Sequence, residues 1–327
     1  MTTLLLRSLG LGLLLTLAGT AHAQAPGAAW PAKPIHIVLP SAAGTAVDTA
    51  TRVIFAKVGE SLGKPVVIEN KPGADGMIAA AAAAKASSDG HDFFVSNAGV
   101  FTINPSYRAN LPYDPERDFT PVSQLTTAVL VISVRPGLQA ANLAELVALA
   151  KASPGRLTYS SSTGRSGIAF LSMELLKQRA GIAIEWIGYK DDSQALADLM
   201  GGRIDIVVDP LATSLPNAKA GKLGIIAVTG SRTAQQIPDI KTIADSGYPG
   251  VSGDAWIGLF APRGVSADIV GRMEREVATA LQDPGVRSRL YELGLDPVGG
   301  NSTQLGALVK DDRAKWARLI QELGLKP

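Results

Sequence analysis

Residues 38–53 read VLPSAAGTAVDTATRV and residues 158–173 read TYSSSTGRSGIAFLSM. In each, a strand-like apolar run breaks into a loop of small residues and then opens onto a helix-period segment. Ser41, Ala42, Ala43, Gly44 and Thr45 are small enough to let a ligand approach the backbone. The stretch from Ser160 to Gly167 supplies four serines, one threonine and two glycines. Helix N-termini present unpaired N–H groups and a partial positive charge, so loops of this kind suit a small anion. A micromolar ligand needs about 8 kcal/mol, and a charge-assisted hydrogen bond contributes about 1.5–3 kcal/mol. About four or five donors shared between two such loops therefore suffice without an arginine. The plainer alternative is a pair of strand-to-helix turns with Ser and Thr caps.

Single residues divide the same way. Asp48, in the first turn after the first loop, is placed to reach back to loop N–H groups as the acid of a capping box does. That organising role is preferred here to direct ligand contact. Asp191 and Asp192 cap the helix that begins there, or Asp191 meets an amino group on a ligand. Arg165 is either an exposed rim residue or a bidentate partner for a distal carboxylate. Asp209 precedes Pro210 at a strand end, where turn chemistry and a cleft role both account for it.

Other chemistries are poorly provided for. Beyond the first 24 residues, histidine occurs only at His36, inside a strand, and His91, at a strand start. There is no nucleophile elbow, no Gly-Lys phosphate loop and no histidine pair spaced for a metal, so neither catalytic residue, metal nor cofactor is expected. A hydrolase using Lys or Asp as base is the alternative from another class. Lys and Arg number 31 against 29 Asp and Glu, a net charge of +2 with no basic stripe, which argues against nucleic acid as a partner.

The elements that must position these loops alternate along the chain. Strands are predicted over 34–40, 65–70 and 91–97, with helices over 47–62 and 77–86 between them, the turn 73–76 leading into the second. After an extended run over 119–135 a second series follows. It places helices at 142–152, 166–178, 192–200 and 213–220, and strands at 156–162, 182–189, 203–209 and 223–230. From Asp254 the pattern changes to an extended segment, 256–261, and helices over 266–282, 284–293 and 303–323. Such βαβ order predicts an α/β fold of two lobes, each a mainly parallel sheet flanked by helices. The tail is expected to return to the first lobe. Lobe one then comprises 24–128 and 254–327, lobe two 129–253, and ligand sits in the cleft between them. With 46% hydrophobic residues, both lobes can bury a core.

The first residues, MTTLLLRSLGLGLLLTLAGTAHAQ, carry Arg7, a short apolar run and Ala21-His22-Ala23. This is the pattern of a secretory signal, residues 1–23, cleaved after Ala23 and followed by a short linker. The apolar run is far below the roughly 20 residues that span a bilayer. The chain has no cysteine, which rules out lipid attachment at a cysteine and any disulfide.

Several segments in order resemble one family. WPAKPIHIVLPSAAGTAVD, ENKPGADGMIAA, INPSYRANLPYDPERDFTPVS, YKDDSQALADLMGGRIDIVVD, AGKLGIIAVT and WIGLFAPRGV are similar to the periplasmic solute-binding receptors of tripartite tricarboxylate transporters, also called Bug proteins. The resemblance runs from about Trp30 to the C-terminus. It implies a two-lobed periplasmic-binding-protein fold of the type II kind that captures a small organic acid or amino acid and delivers it to inner-membrane transporter subunits. The receptor is expected to act as a monomer in the periplasm. A receptor reporting to a sensor protein would share the same cleft. In the family a carboxylate is held largely by backbone amides and waters from the first loop, opposed by the second. Carried over, the ligand-binding positions are Ser41, Ala42, Ala43, Gly44, Thr45 and Asp48, then Ser161, Ser162, Thr163, Ser166 and Gly167. Asn97, Ala98 and Asp209 at strand ends complete the floor or wall. Departures are Ser41 in place of an aromatic residue, Thr45 in place of the second glycine, Ala169-Phe170 in place of His-Leu, and Asp191 in place of glycine.

Overall fold

The computed structural model describes residues 30–162, 164–189 and 191–325. The predicted leader and linker, and Thr163, lie outside them. Two sheets organise the chain. The first contains β1 (Ile35–Leu39), β2 (Val66–Asn70), β3 (Asp92–Asn97), β4 (Phe119–Ala128), β10 (Ala255–Pro262) and β11 (Leu295–Pro297), in the order β11-β4-β10-β3-β1-β2. The second contains β5 (Leu130–Val134), β6 (Thr158–Ser161), β7 (Glu185–Trp186), β8 (Ile206–Pro210) and β9 (Gly224–Val228), in the order β7-β6-β8-β5-β9. Five positions of the two sheets correspond one to one: β2-β1-β3-β10-β4 against β7-β6-β8-β5-β9.

This is the two-lobed α/β fold, but its sheets are mixed rather than mainly parallel. Only the βαβ portions are parallel: β1 with β2 and β3, and β6 with β7 and β8. The strand beside each of them, β10 next to β3 and β5 next to β8, is antiparallel. The cause is the route of the chain. Both β5 and β10 follow a passage from the opposite lobe, so each enters at the cleft end and runs away from it. Their neighbours β8 and β3 arrive there instead.

The passage out of the first sheet is short. The extended run divides at Val129, with β4 ending at Ala128 and β5 beginning at Leu130. The return passage lies between β9 and β10. There Gly253 N–H donates to the Thr229 carbonyl at 2.8 Å, and Thr229 Oγ1 donates back to the Gly253 carbonyl at 3.3 Å.

Helices follow their caps. Helix α1 (Ala46–Leu62) starts at Thr45, whose hydroxyl accepts from Asp48 N–H, and stops at Gly63 in the left-handed region, φ 62°. Helix α2 (Met77–Ala84) starts from Gly76, where φ is 84° and an added Cβ would press on Val100 and Pro40. Helix α4 (Leu143–Ala152) is capped by Asn142, and α6 (Asp192–Met200) by Asp191, whose carboxylate accepts from Ser193 N–H at 2.8 Å. Helices α5 (Ile168–Ala180) and α7 (Leu211–Lys219) follow β6 and β8. The tail, α8 (Ala267–Gln282), α9 (Pro284–Glu292) and α10 (Ser302–Glu322), packs on the first sheet, α10 beginning at a capping box of Asn301 and Gln304.

Three stretches depart from the sequence reading. Residues 99–103 form a π-helical turn that runs into α3 (Asn104–Tyr107). The short strand β11 adds an edge to the first sheet. The strand predicted over 182–189 contracts to the two residues of β7, paired with Thr158 and Tyr159 of β6. The Trp186 ring folds back over Gly188, within 2.7 Å of where a Cβ would stand, and the chain leaves the sheet edge there.

Candidate ligand-binding cleft

The two sheets face each other across a cavity of about 360 Å³, with the C-terminal ends of β3, β6 and β8 among its walls. Lobe one contributes Val47, Asp75, Asn97, Ala98, Ile103 and Asn104, with Trp256 at the floor. Lobe two contributes Ser162, Gly167, Ile168, Ala169 and Pro210. Ala128, Leu130 and Ala255, where strands meet the passages between lobes, close the back.

Of the sequence-predicted residues, Asn97, Ala98, Ser162 and Gly167 therefore lie together on the wall. Ser41 to Thr45 do not. They form a rim loop whose residues Ala42 to Thr45 are exposed, and the wall is reached instead by Val47, one position into the helix turn beyond. Gly44 stands at φ 82° with nothing near its missing Cβ. Its N–H is spoken for, donating to Asp48 Oδ2 at 2.9 Å. Thr45 N–H donates to the Ala42 carbonyl at 3.4 Å. The N–H groups of Ala42, Ala43, Ala46 and Val47 have no protein acceptor among the described residues.

Asp48 lies buried beneath this loop and organises it. Besides Gly44 N–H it accepts from Arg52 Nε at 3.1 Å and from Asn70 Nδ2 at 2.9 Å, and Asn70 Nδ2 also donates to the Ser41 carbonyl at 2.9 Å. Burial alone would raise its pKa; the hydrogen bonds from Arg52, Asn70 and Gly44, with the Arg52 charge, outweigh that and bring it down to about 2.

In the second loop, Ser161 is buried and its hydroxyl accepts from Trp186 Nε1 at 3.4 Å. Ser166 closes the 3-10 turn Gly164–Ser166. Helix α5 then starts at Gly167 with no side-chain cap, so its first N–H groups, those of Ile168 and Ala169, are left for the cavity. Arg165 is exposed. Its guanidinium stacks over Trp186 at 5.4 Å and Phe170 at 5.6 Å, with no acidic partner among the described residues. Its carbonyl accepts from Tyr107 Oη at 3.0 Å, a hydrogen bond that ties the two lobes together.

Asp209 is turned away from the cavity. It is 3% exposed and accepts from Thr213 Oγ1 and, at 2.7 Å, from Ser214 Oγ at the start of α7; Ser214 Oγ in turn meets Ser133 Oγ. Burial pushes its pKa up to about 6, against hydrogen bonds from Thr213, Ser214 and Ser133 that pull it down and the Asp192 charge that pushes it further up. Its neighbour Pro210 takes the place on the wall. Asp191 is spent on its helix cap, as described.

Sequence reasoning missed Asp75, Asn104 and Trp256. Asp75 follows β2 in the same way that Ser41 follows β1, so the rule that strand ends collect ligands applied to it too. It stands at φ 51°, next to Ala74 at φ 48°, a left-handed pair that non-glycine residues seldom adopt. Arg108 holds Asp75 Oδ2 at 2.7 Å from outside. Asn104 Nδ2 donates to the Asp75 carbonyl at 3.0 Å. Trp256 Nε1 donates to Asp312 Oδ2 at 2.8 Å; Lys315 joins Asp312 Oδ1 at 2.6 Å and donates to the Ser252 carbonyl at 2.9 Å. His91 is occupied far from the cleft, at the start of β3, by Ala32 N–H and Asp89.

Two α/β sheets of matching strand order, crossed twice by the chain and enclosing a cavity at their strand ends, define a two-lobed solute-binding protein. A family profile described as tripartite tricarboxylate transporter family receptor matches residues 50–325, and the chain belongs to this family. Protein BugT of Bordetella pertussis (strain Tohama I) is 31% identical over 310 residues, covering 94% of this chain and 95% of that protein. A solved structure of an R. palustris protein with adipate is 31% identical, with a TM-score of 0.74 over 91% of this chain and 99% of that one. MatC from Rhodopseudomonas palustris with bound malate is 29% identical, with a TM-score of 0.69 over 89% and 99%.

Proposed function

We propose that this solute-binding receptor works in the periplasm, closes its lobes on one small carboxylate compound and presents the closed form to inner-membrane subunits of a tripartite tricarboxylate transporter. The observation that carries the reading is the cavity between the strand ends, where an uncapped helix start from lobe two shares the wall with Asn97 and Val47 of lobe one, next to the rim loop. The adipate and malate held by the two R. palustris relatives support a carboxylate as cargo. On this reading the anion is shared between the N–H groups of Ile168 and Ala169 and donors of the first lobe. Those donors are Asn97 and, once the lobes close, the N–H groups of Ala42, Ala43, Ala46 and Val47. The described residues of the first lobe move as one body, those of the second as the other, and the passages near Val129 and Gly253 flex. Ligand bound to one lobe recruits the other and shifts an open-closed equilibrium. Asp48 keeps the first loop in shape without touching ligand.

A thermal-shift screen of the leaderless protein against mono-, di- and tricarboxylates, amino acids and aromatic acids tests this directly. A true ligand raises the unfolding midpoint by mass action. If every carboxylate leaves the midpoint unmoved, the receptor reading is wrong. Deleting the gene should abolish uptake of the compound that scores, rather than merely its induction.

A further inference from the structure

The chemistry of the cavity wall goes further than a carboxylate in general, and the step taken here rests on the receptor reading above. We propose that the ligand carries a single carboxylate, an apolar body, and an ammonium group facing Asp75 and Asn104: in chemical class, an amino acid with a hydrocarbon side chain.

Charge is the first argument. No lysine or arginine stands on the wall, and Asp75 is its one charged side chain among the described residues. Arg108 engages Asp75 Oδ2 only, leaving Oδ1, and the Asp75 side chain is 54% exposed. A second ligand carboxylate at this end would meet the Asp75 anion itself, whose cation, Arg108, is not part of the wall. An ammonium would meet an opposite charge.

Two asparagines supply the second argument, because their surroundings fix which way each amide points. Asn104 is 6% exposed. Its Nδ2 faces the Asp75 main-chain carbonyl, which can only accept, so Oδ1 is on the other side of the amide. Asn104 Oδ1 has no partner among the described residues. It is an acceptor, on a side chain more than nine-tenths buried, that a ligand donor would satisfy. Asn97 is oriented the opposite way. Its Oδ1 accepts from Val100 N–H at 3.3 Å, which leaves Nδ2 as a donor on the wall. The wall thus separates into an acceptor end, Asp75 with Asn104, and a donor side, Asn97 with the uncapped start of α5.

Between those ends the surface is hydrocarbon: Val47, Ala98, Ile103, Leu130, Ile168 and Ile257. A hydroxylated di- or tricarboxylate would leave its polar groups unpaired there, whereas an aliphatic or aromatic side chain would replace water on apolar walls.

Isothermal titration calorimetry on the leaderless protein with L-leucine, L-phenylalanine, 3-phenylpropanoate and adipate reads out the proposal. One of the two amino acids is expected to bind, with 3-phenylpropanoate, which lacks the amine, at least about tenfold weaker and adipate weaker still. Asp75→Asn keeps a side chain that tolerates the left-handed backbone. It should weaken the amino acid about tenfold or more while changing 3-phenylpropanoate by less than about twofold. Asn104→Ala should act in the same direction. Tightest binding by adipate would overturn the inference and leave the receptor reading intact. Equal losses for both phenyl compounds in Asp75→Asn would overturn it as well, because the acid would then be shaping the cavity rather than meeting an amine. Failure of both amino acids to bind would overturn the inference too, while the receptor reading would still stand or fall on the broader carboxylate screen above.

Discussion

Asp48 and Asp209 occupy comparable places, each near the end of a strand and the start of a helix, yet their environments push them in opposite directions. Around Asp48 the donors win. Its pKa of about 2 lies below the ordinary 3.8, so its contribution to stability is present above pH 3.8 and lost as pH falls towards 2. Around Asp209 burial wins. With a value of about 6, its contribution is full below pH 3.8 and declines as pH rises through 6. The two together favour the folded state most near pH 4. Replacing Asp209 with Asn should flatten the decline between pH 4 and 6, as seen in the unfolding midpoint measured across that range. An unchanged slope would show that Asp209 is not its source. Asp48→Ala should cost about 1–3 kcal/mol in denaturant unfolding and also weaken ligand binding, since Gly44 N–H and Asn70 both lose the group that fixes the loop. At this scale the sequence was half legible. Small residues and an acid in the first turn announced the loop and the organiser. That Ser41 to Thr45 would stand at the rim, with Val47 on the wall, depends on the pitch at which α1 leaves β1, which no local pattern records.

At the scale of elements, glycine sets a limit at the return passage. A Cβ on Gly253 would run into Ser172 Oγ, whose hydroxyl is already engaged by the Ile168 carbonyl at 2.6 Å in a fully buried turn of α5. Gly253→Ala should therefore cost about 1–3 kcal/mol, visible as a lowered unfolding midpoint, and Ser172→Ala in the same chain should restore part of it. Gly44 is a different case. There the space is open and only the backbone objects, by about 1–2 kcal/mol for an alanine. Most strands and helices could be read from period and caps because each is long enough to show them. The turn at 99–103 could not. Val100, Phe101, Thr102 and Ile103 are all buried in succession, so no face alternates and neither period emerges. The residues 182–189 misled in the other direction: their composition suits a strand, but strand pairing ends where Trp186 covers Gly188.

For the molecule as a whole, the hydrogen bond from Tyr107 to the Arg165 carbonyl joins lobes that otherwise meet around a cavity. Tyr107→Phe removes the hydroxyl and little else. A net hydrogen bond of about 0.5–1.5 kcal/mol corresponds to an affinity loss of about two- to twelvefold if the closed form depends on it. Calorimetry would give that ratio, and small-angle scattering of the unliganded variant should show a larger radius of gyration. No change in either would mean that the contact does not bias closure. The matched strand orders give the proposed closure two similar bodies to move, and the alternation of strands and helices foretold those two sheets. The antiparallel insertions β5 and β10 were hidden because each pairs with a strand far off along the chain, β5 with β8 and β10 with β3.

Trp256 gives the molecule an occupancy gauge of its own. The residue borders the cavity, its indole is fully buried and its nitrogen is held by Asp312, so a guest entering the cavity alters the field around a fluorophore that cannot swing away. Binding should appear as a change in intrinsic emission that saturates with added ligand. Trp256→Phe should erase that signal and leave a background from Trp30, Trp186 and Trp316.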